Sequence, residues 1–193
     1  MKTFLAFLIL ITSFSSSAYE PSYSQRRTMA NYYNYSEYNK MAKLLKEGYD
    51  PNDIIESPLV PMSEEFRYIH GMSSSKVDYD IEEEVLEVLN LLIEKGAYLE
   101  ASTKSGEFPV YLASTGKKLK ILHKAGADIF RKFIDKEGVV LRAREYVRSA
   151  EGLDYMYEQG LKPDCDYIHK KFSEIENKWY KHHYGVGYKE RCR

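Results

Sequence analysis

Cysteine is scarce in this 193-residue chain: there are only two, Cys165 and Cys192, both in the last thirty positions. In an exported protein an even pair favours a disulfide, which is the expectation here. Closing a loop of about 28 residues, it would contribute roughly 3–4 kcal/mol in the chain-entropy description. Free thiols remain open, as does a metal site with His169, His182 and His183, although that spacing is irregular for zinc. Excess charge of one sign is also missing, with 28 basic against 29 acidic residues. That balance excludes the strongly basic footprint of a nucleic-acid binder. Long apolar runs are missing beyond Phe14, so nothing later in the sequence reads as a membrane span. The arrangements that carry chemistry are missing too. There is no His-Glu-x-x-His helix, no Gly-x-Ser-x-Gly turn and no phosphate-binding glycine loop. Neither a catalytic residue nor a cofactor is expected.

The first eighteen residues have the composition of a cleaved export signal. Lys2 is the positive start, Phe4 to Phe14 is apolar apart from Thr12 and Ser13, and Ser16-Ser17-Ala18 supplies small residues for cleavage. The apolar stretch is shorter than the roughly 20 residues that span a bilayer. The mature chain is therefore expected to begin at Tyr19 and to be soluble, periplasmic or secreted. No cysteine follows the apolar run to carry a lipid.

Four segments of the remaining chain can be aligned. They are Leu44-Leu45-Lys46-Glu47-Gly48, Leu92-Ile93-Glu94-Lys95-Gly96, Leu122-His123-Lys124-Ala125-Gly126 and Met156-Tyr157-Glu158-Gln159-Gly160. Each is an apolar helix pattern running into a glycine, the residue best suited to close a helix in the left-handed conformation. The glycines stand 48, 30 and 34 residues apart, a period that signals a stacked helical repeat. In the second segment Ile81, Val85, Leu89 and Leu92 recur at helical spacing, and Leu86, Val88 and Ile93 widen the apolar face. Such a helix needs cover on more than one side. Pro109 suits the first position of a new helix.

At Gly106-Glu107-Phe108-Pro109-Val110-Tyr111-Leu112-Ala113 and Ile121-Leu122-His123-Lys124-Ala125-Gly126-Ala127-Asp128 the sequence resembles the ankyrin repeat family. Its pattern is a glycine, one residue, Thr-Pro-Leu-His, one residue and alanine, then a second helix ending in two leucines and Gly-Ala-Asp. Ser57-Pro58-Leu59 and the turn Asp135-Lys136-Glu137-Gly138 fit other units, whereas Val139-Val140 lacks the helix-starting proline. The resemblance implies an all-α solenoid of about four units over residues 36–164. A tyrosine-rich segment, 19–35, precedes it as a partly ordered cap, and a C-terminal extension, 165–193, follows. It also implies a concave face near Lys104, Glu107, Tyr111, Lys136, Glu137 and Arg142, with Tyr111 standing where the family has histidine. The residues between about Phe66 and Tyr79 read as a flexible insertion into the first interval.

Charge is segregated along the chain. Asp78 to Glu100 holds eight acids and one base, and Lys117 to Arg148 holds ten bases and four acids. Two readings compete: steering of a charged partner, or mutual solvation of neighbouring repeats. His123 reads as a packed helix residue. Trp179, Tyr180, His182 and His183 read as packing for the C-terminal segment or as a partner anchor, the first being expected. Together these features point to an exported, non-catalytic protein-binding module. Small exported ankyrin-like proteins of bacteria include immunity proteins that neutralise toxins in the envelope, and a secreted toxin is one such partner. A different envelope-binding role and a small enzyme with an unrecognised site are the alternatives.

Overall fold

The computed structural model describes residues 20–55, 65–75, 82–134, 140–142 and 150–160. Residues 1–18 (expected as an export signal), Ser57-Pro58-Leu59, Lys136, Glu137, both cysteines and the Trp179 cluster lie outside the described residues. Seven helices are described, α1 (Tyr23–Asn34), α2 (Tyr38–Lys46), α3 (Tyr68–Ser74), α4 (Glu82–Glu94), α5 (Pro109–Leu112), α6 (Gly116–Lys124) and α7 (Ala150–Glu158). One antiparallel pair, β1 (Lys132–Ile134) and β2 (Val140–Arg142), precedes α7. The fold is thus helical, as expected, with one short hairpin. None of the described helices is long and apolar enough to cross a membrane.

Helices pack in successive pairs, α1 on α2, α3 on α4 and α5 on α6. The second members also touch in series, α2 to α4, α4 to α6 and α6 to α7, and α3 meets α5. One apolar core runs through them, from Met41 and Leu45 through Val85, Leu89 and Leu92 to Leu119, Leu122 and Met156. In α4, Val85, Val88, Leu89, Leu91 and Leu92 are all buried, because neighbours cover it on several sides.

The glycine of each aligned segment has a positive φ, +102° at Gly48, +90° at Gly96, +105° at Gly126 and +100° at Gly160. At the first three, two hydrogen bonds close the helix end. Gly48 N–H donates to the Leu45 carbonyl (3.2 Å) and Tyr49 N–H to Leu44 (3.0 Å). The same pair recurs as Gly96 to Ile93 with Ala97 to Leu92, and as Gly126 to His123 with Ala127 to Leu122. This is the Schellman arrangement, which satisfies carbonyls the helix leaves free and turns the chain sharply.

Each turn leads into a small antiparallel contact six or seven residues beyond its glycine. Ile54 bridges to Arg67, Thr103 N–H donates to the Glu107 carbonyl (2.9 Å), and Lys132 pairs with Arg142. The hairpin β1–β2 is the longest member of this series. Phe133, Ile134, Val140 and Leu141 favour extended backbone, and no proline starts a helix at 139–140. Arg142, expected on the outer side of a first helix, therefore lies on a strand.

The flexible reading of the expected insertion, 66–79, is corrected over 66–75; residues 76–79 lie outside the described residues. Tyr68–Ser74 is a helix, with Tyr68, Ile69, His70, Gly71, Met72 and Ser73 all buried. Its glycine and serines read as flexible in the sequence, but Gly71 is small for a packing reason. A Cβ there would lie 2.7 Å from the Tyr33 ring of α1. The N-terminal segment is correspondingly ordered. Ser22 caps α1 reciprocally with Gln25: Ser22 N–H donates to Gln25 Oε1 (2.9 Å), and Gln25 N–H donates to Ser22 Oγ (3.4 Å). Arg26 Nε lies 3.5 Å from Asp53, which also accepts from the Tyr49 hydroxyl at 2.6 Å. That buried network ties α1 to the first turn.

Two stability predictions follow from this packing. Nothing lies within 4 Å of a Cβ built at Gly126, so a side chain there meets only backbone strain. Gly126→Val should lower the unfolding free energy in urea by more than about 1 kcal/mol. Gly71→Val should cost more than Gly71→Ala, because the Tyr33 ring must move further; equal midpoints would show that the contact is not tight.

Candidate protein-binding face

The turns after the Schellman glycines do more than reverse the chain. The residue four after one glycine reaches the residue two after the next. Asn52 Oδ1 accepts from Tyr98 N–H (2.7 Å), and Glu100 Oε1 accepts from Asp128 N–H (2.9 Å). These are equivalent positions in successive units, Gly48 to Gly96 and Gly96 to Gly126. Asn52 also donates from Nδ2 to the Gly96 carbonyl at 3.0 Å. Within the turns, Asp50 accepts from Asn52 N–H (2.8 Å) and Asp128 from Phe130 N–H (2.9 Å), again at matching offsets. A row of loops is thereby pinned loop to loop.

His70 supports the row from beneath. Its Nδ1 accepts from Arg67 N–H at 3.1 Å, which places the ring proton on Nε2, 2.9 Å from the Ala101 carbonyl. The side chain is fully buried, and that burial lowers its pKa from 6.5 to about 4, against the Ala101 hydrogen bond and with the Arg67 charge assisting.

On this row the side chains are aromatic and charged. Tyr98 is 60% exposed with the Arg67 guanidinium 5.9 Å from its ring centre, and Phe130 is 44% exposed. Arg131 stacks 4.2 Å from the Phe108 ring centre and pairs with Glu100. Lys104 stands exposed on the turn Thr103–Gly106, 3.6 Å from Glu65. Glu107 is half-buried beside it, its N–H bonded to Thr103 Oγ1 at 3.1 Å. Tyr111 is different. It is 2% exposed, its hydroxyl donates to the Arg131 carbonyl, and its ring meets Phe108 edge-on. Of the residues expected on the face, Lys104 and Glu107 are thus together, Tyr111 lies beneath them, and the side chain of Arg142 is outside the described residues. Arg67, Tyr98, Phe130 and Arg131 were not anticipated. The shared offset of Asn52 and Glu100 from their glycines was a signal for the row in the sequence.

The segregated charges meet one another on the series of second helices. Lys46 pairs with Glu87 (2.8 Å), Lys117 with Glu82 (2.7 Å) and Lys120 with Glu151 (3.4 Å). The Glu82 hydrogen bond holds the Lys117 ammonium above its usual range. Lys117–Glu82 and Arg131–Glu100 join the basic stretch to the acidic one directly.

Lys118 is fully buried, with Nζ 2.8 Å from both the carbonyl and Oγ of Ser75 and 3.2 Å from Ser114 Oγ. Burial brings its pKa down to about 8, partly offset by Glu82. The two hydroxyls donate elsewhere, Ser75 to the Met72 carbonyl (3.0 Å) and Ser114 to the Ser75 carbonyl (2.7 Å). Lys118 is consequently a donor to both serines and not a base for either; it ties the ends of α3 and α5 to α6. His123 is half-buried, 2.8 Å from the Tyr155 hydroxyl of α7. Among the described residues no group of three or more His, Cys, Asp or Glu side chains is placed to hold a metal ion. No known protein-family model matches the sequence, and no curated protein is significantly similar to it.

The histidine gives a pH prediction. Unfolded, His70 takes up a proton near pH 6.5, whereas folded it resists protonation down to about 4. Stability from this site is full above about pH 7 and declines as pH falls from 6.5 to 4, by about 3 kcal/mol. Urea midpoints of wild type minus His70→Gln should carry that slope; a flat difference would show the ring is not held neutral.

Proposed function

We propose that this chain is an exported, ankyrin-like repeat protein that holds another protein and performs no chemistry of its own. The observation that carries the reading is the loop row, in which equivalent residues of successive units make the same contact. Repetition of one contact is the mark of a repeat stack, and such stacks present extended binding surfaces. The helix-closing glycines support it, as does His70. In Arg67-Tyr68-Ile69-His70 the histidine takes the last place of the family's Thr-Pro-Leu-His and bonds the neighbouring unit's loop. Export rests on the composition of residues 1–18.

On this reading the partner lies against Tyr98, Lys104, Glu107, Phe130 and Arg131. Rigid aromatic and arginine side chains are the residue types that dominate binding energy. Small exported ankyrin-like proteins of bacteria include immunity proteins, so a toxin acting in the envelope is one partner that suits this face, and another envelope protein is the alternative. Neutralisation of a toxin needs only occlusion of its working surface.

The test is capture of the partner from the native source with the full chain, followed by titration of variants. Tyr98→Ala should weaken binding by about 2 kcal/mol, roughly thirtyfold, with circular dichroism unchanged. Lys104→Glu should change the on-rate at low salt more than the off-rate. Tyr111→Ala should instead lower thermal stability, since its side chain is internal. If Tyr98→Ala and Lys104→Glu both leave affinity intact, the loop row is not the contact.

A further inference from the structure

The second helices of the successive pairs are each charged with one sign only, and the sign alternates. Helix α2 carries three lysines and no acid, and α4 carries five glutamates and no base. Helix α6 carries four lysines and no acid, and α7 carries Glu151, Asp154 and Glu158 and no base. Opposite charges appear only at the caps, Glu37 and Glu47 beside α2 and Lys95 after α4. These four helices are the ones in serial contact, and an ion pair spans each junction: Lys46–Glu87, Lys117–Glu82 and Lys120–Glu151.

We propose that this alternation is a registration device, selecting which helix packs beside which as the chain folds. The units need one because their apolar contacts are so alike. Leu44-Leu45 before Gly48 and Leu92-Ile93 before Gly96 stand at the same places, and Leu122 before Gly126 matches Leu44 and Leu92, so the apolar ends of these helices are alike. Repeat chains misassemble by docking a unit on the wrong neighbour, in the same molecule or in a second copy. Skipping one unit would set α2 beside α6, or α4 beside α7, and so place like charge on like. The exposed pairs add little to the stability of the correct stack. Repulsion in the incorrect one supplies the discrimination, which is how charged surfaces commonly reject wrong partners. Salt should erase the effect, since the screening length falls to about 3 Å near 1 M. Lys118 takes no part, its ammonium being buried toward Ser75 and Ser114. This device concerns assembly and does not depend on what the loop row binds.

The experiment is refolding of the full chain from urea at low and at about 1 M salt, with the monomer fraction read by size exclusion and light scattering. Wild type should refold to monomer at low salt and lose part of that yield at high salt. Reversing the two paired glutamates of α4, Glu82→Lys with Glu87→Lys, should cut the low-salt monomer fraction severalfold. Adding Lys46→Glu and Lys117→Glu should restore it. The proposal is overturned if the twofold α4 variant refolds as cleanly as wild type. It is also overturned if the fourfold variant refolds no better than the twofold one, or if only the urea midpoint shifts while the monomer fraction stays constant.

Discussion

A backbone conformation that a side chain strains is the constraint on which the described fold depends. Gly48, Gly96, Gly126 and Gly160 all hold φ near +100°. At the first three, the paired hydrogen bonds to the preceding turn end the helix and send the chain sharply away from it. The exit direction decides where the next four residues lie. It brings Asn52 against the turn after Gly96, and Glu100 against the turn after Gly126. Without the left-handed residue the loops would not align, and the contact between units would rest on core packing alone.

The polar interior follows the same logic of joining units. Lys118 gathers the ends of α3 and α5, His70 bridges α3 to the loop at Ala101, and Arg26 reaches Asp53 from α1. Buried polar groups are costly unless satisfied, and Lys118 and His70 find their partners across boundaries between helices. Directional bonds at these joints add specificity that apolar contact lacks. Tyr98 and Phe130 are the large apolar side chains of the loop row that stay exposed, while Arg131 is held by Glu100 and the Phe108 ring.

Much of this was legible in the sequence, because local rules govern it. The four glycine turns, the helix start at Pro109 and the many-sided burial of α4 follow from spacing and conformational preference alone. Three features were not legible. Helix α3 was hidden because Gly71, Ser73 and Ser74 imitate a flexible loop; only the Tyr33 ring against Gly71 explains the glycine. The resemblance puts Tyr111 near the concave face, and its depth shows only through the Arg131 carbonyl, twenty residues away. The charge blocks stayed open between a steered partner and mutual solvation, since only three-dimensional neighbours show Lys46, Lys117 and Lys120 facing Glu87, Glu82 and Glu151.

Amide hydrogen exchange tests, residue by residue, whether one repeated loop contact joins successive units. In the wild type the N–H groups of Tyr98 and Asp128 should both exchange slowly, although both sit in exposed turns. Asn52→Ala should speed exchange at Tyr98 by tenfold or more while leaving Asp128 protected; Glu100→Ala should do the reverse. Such a reciprocal pattern would match the paired geometry at 2.7 and 2.9 Å. If both amides exchange at the free-peptide rate in the wild type, or if neither responds to its own side-chain deletion, the units are not joined in this way.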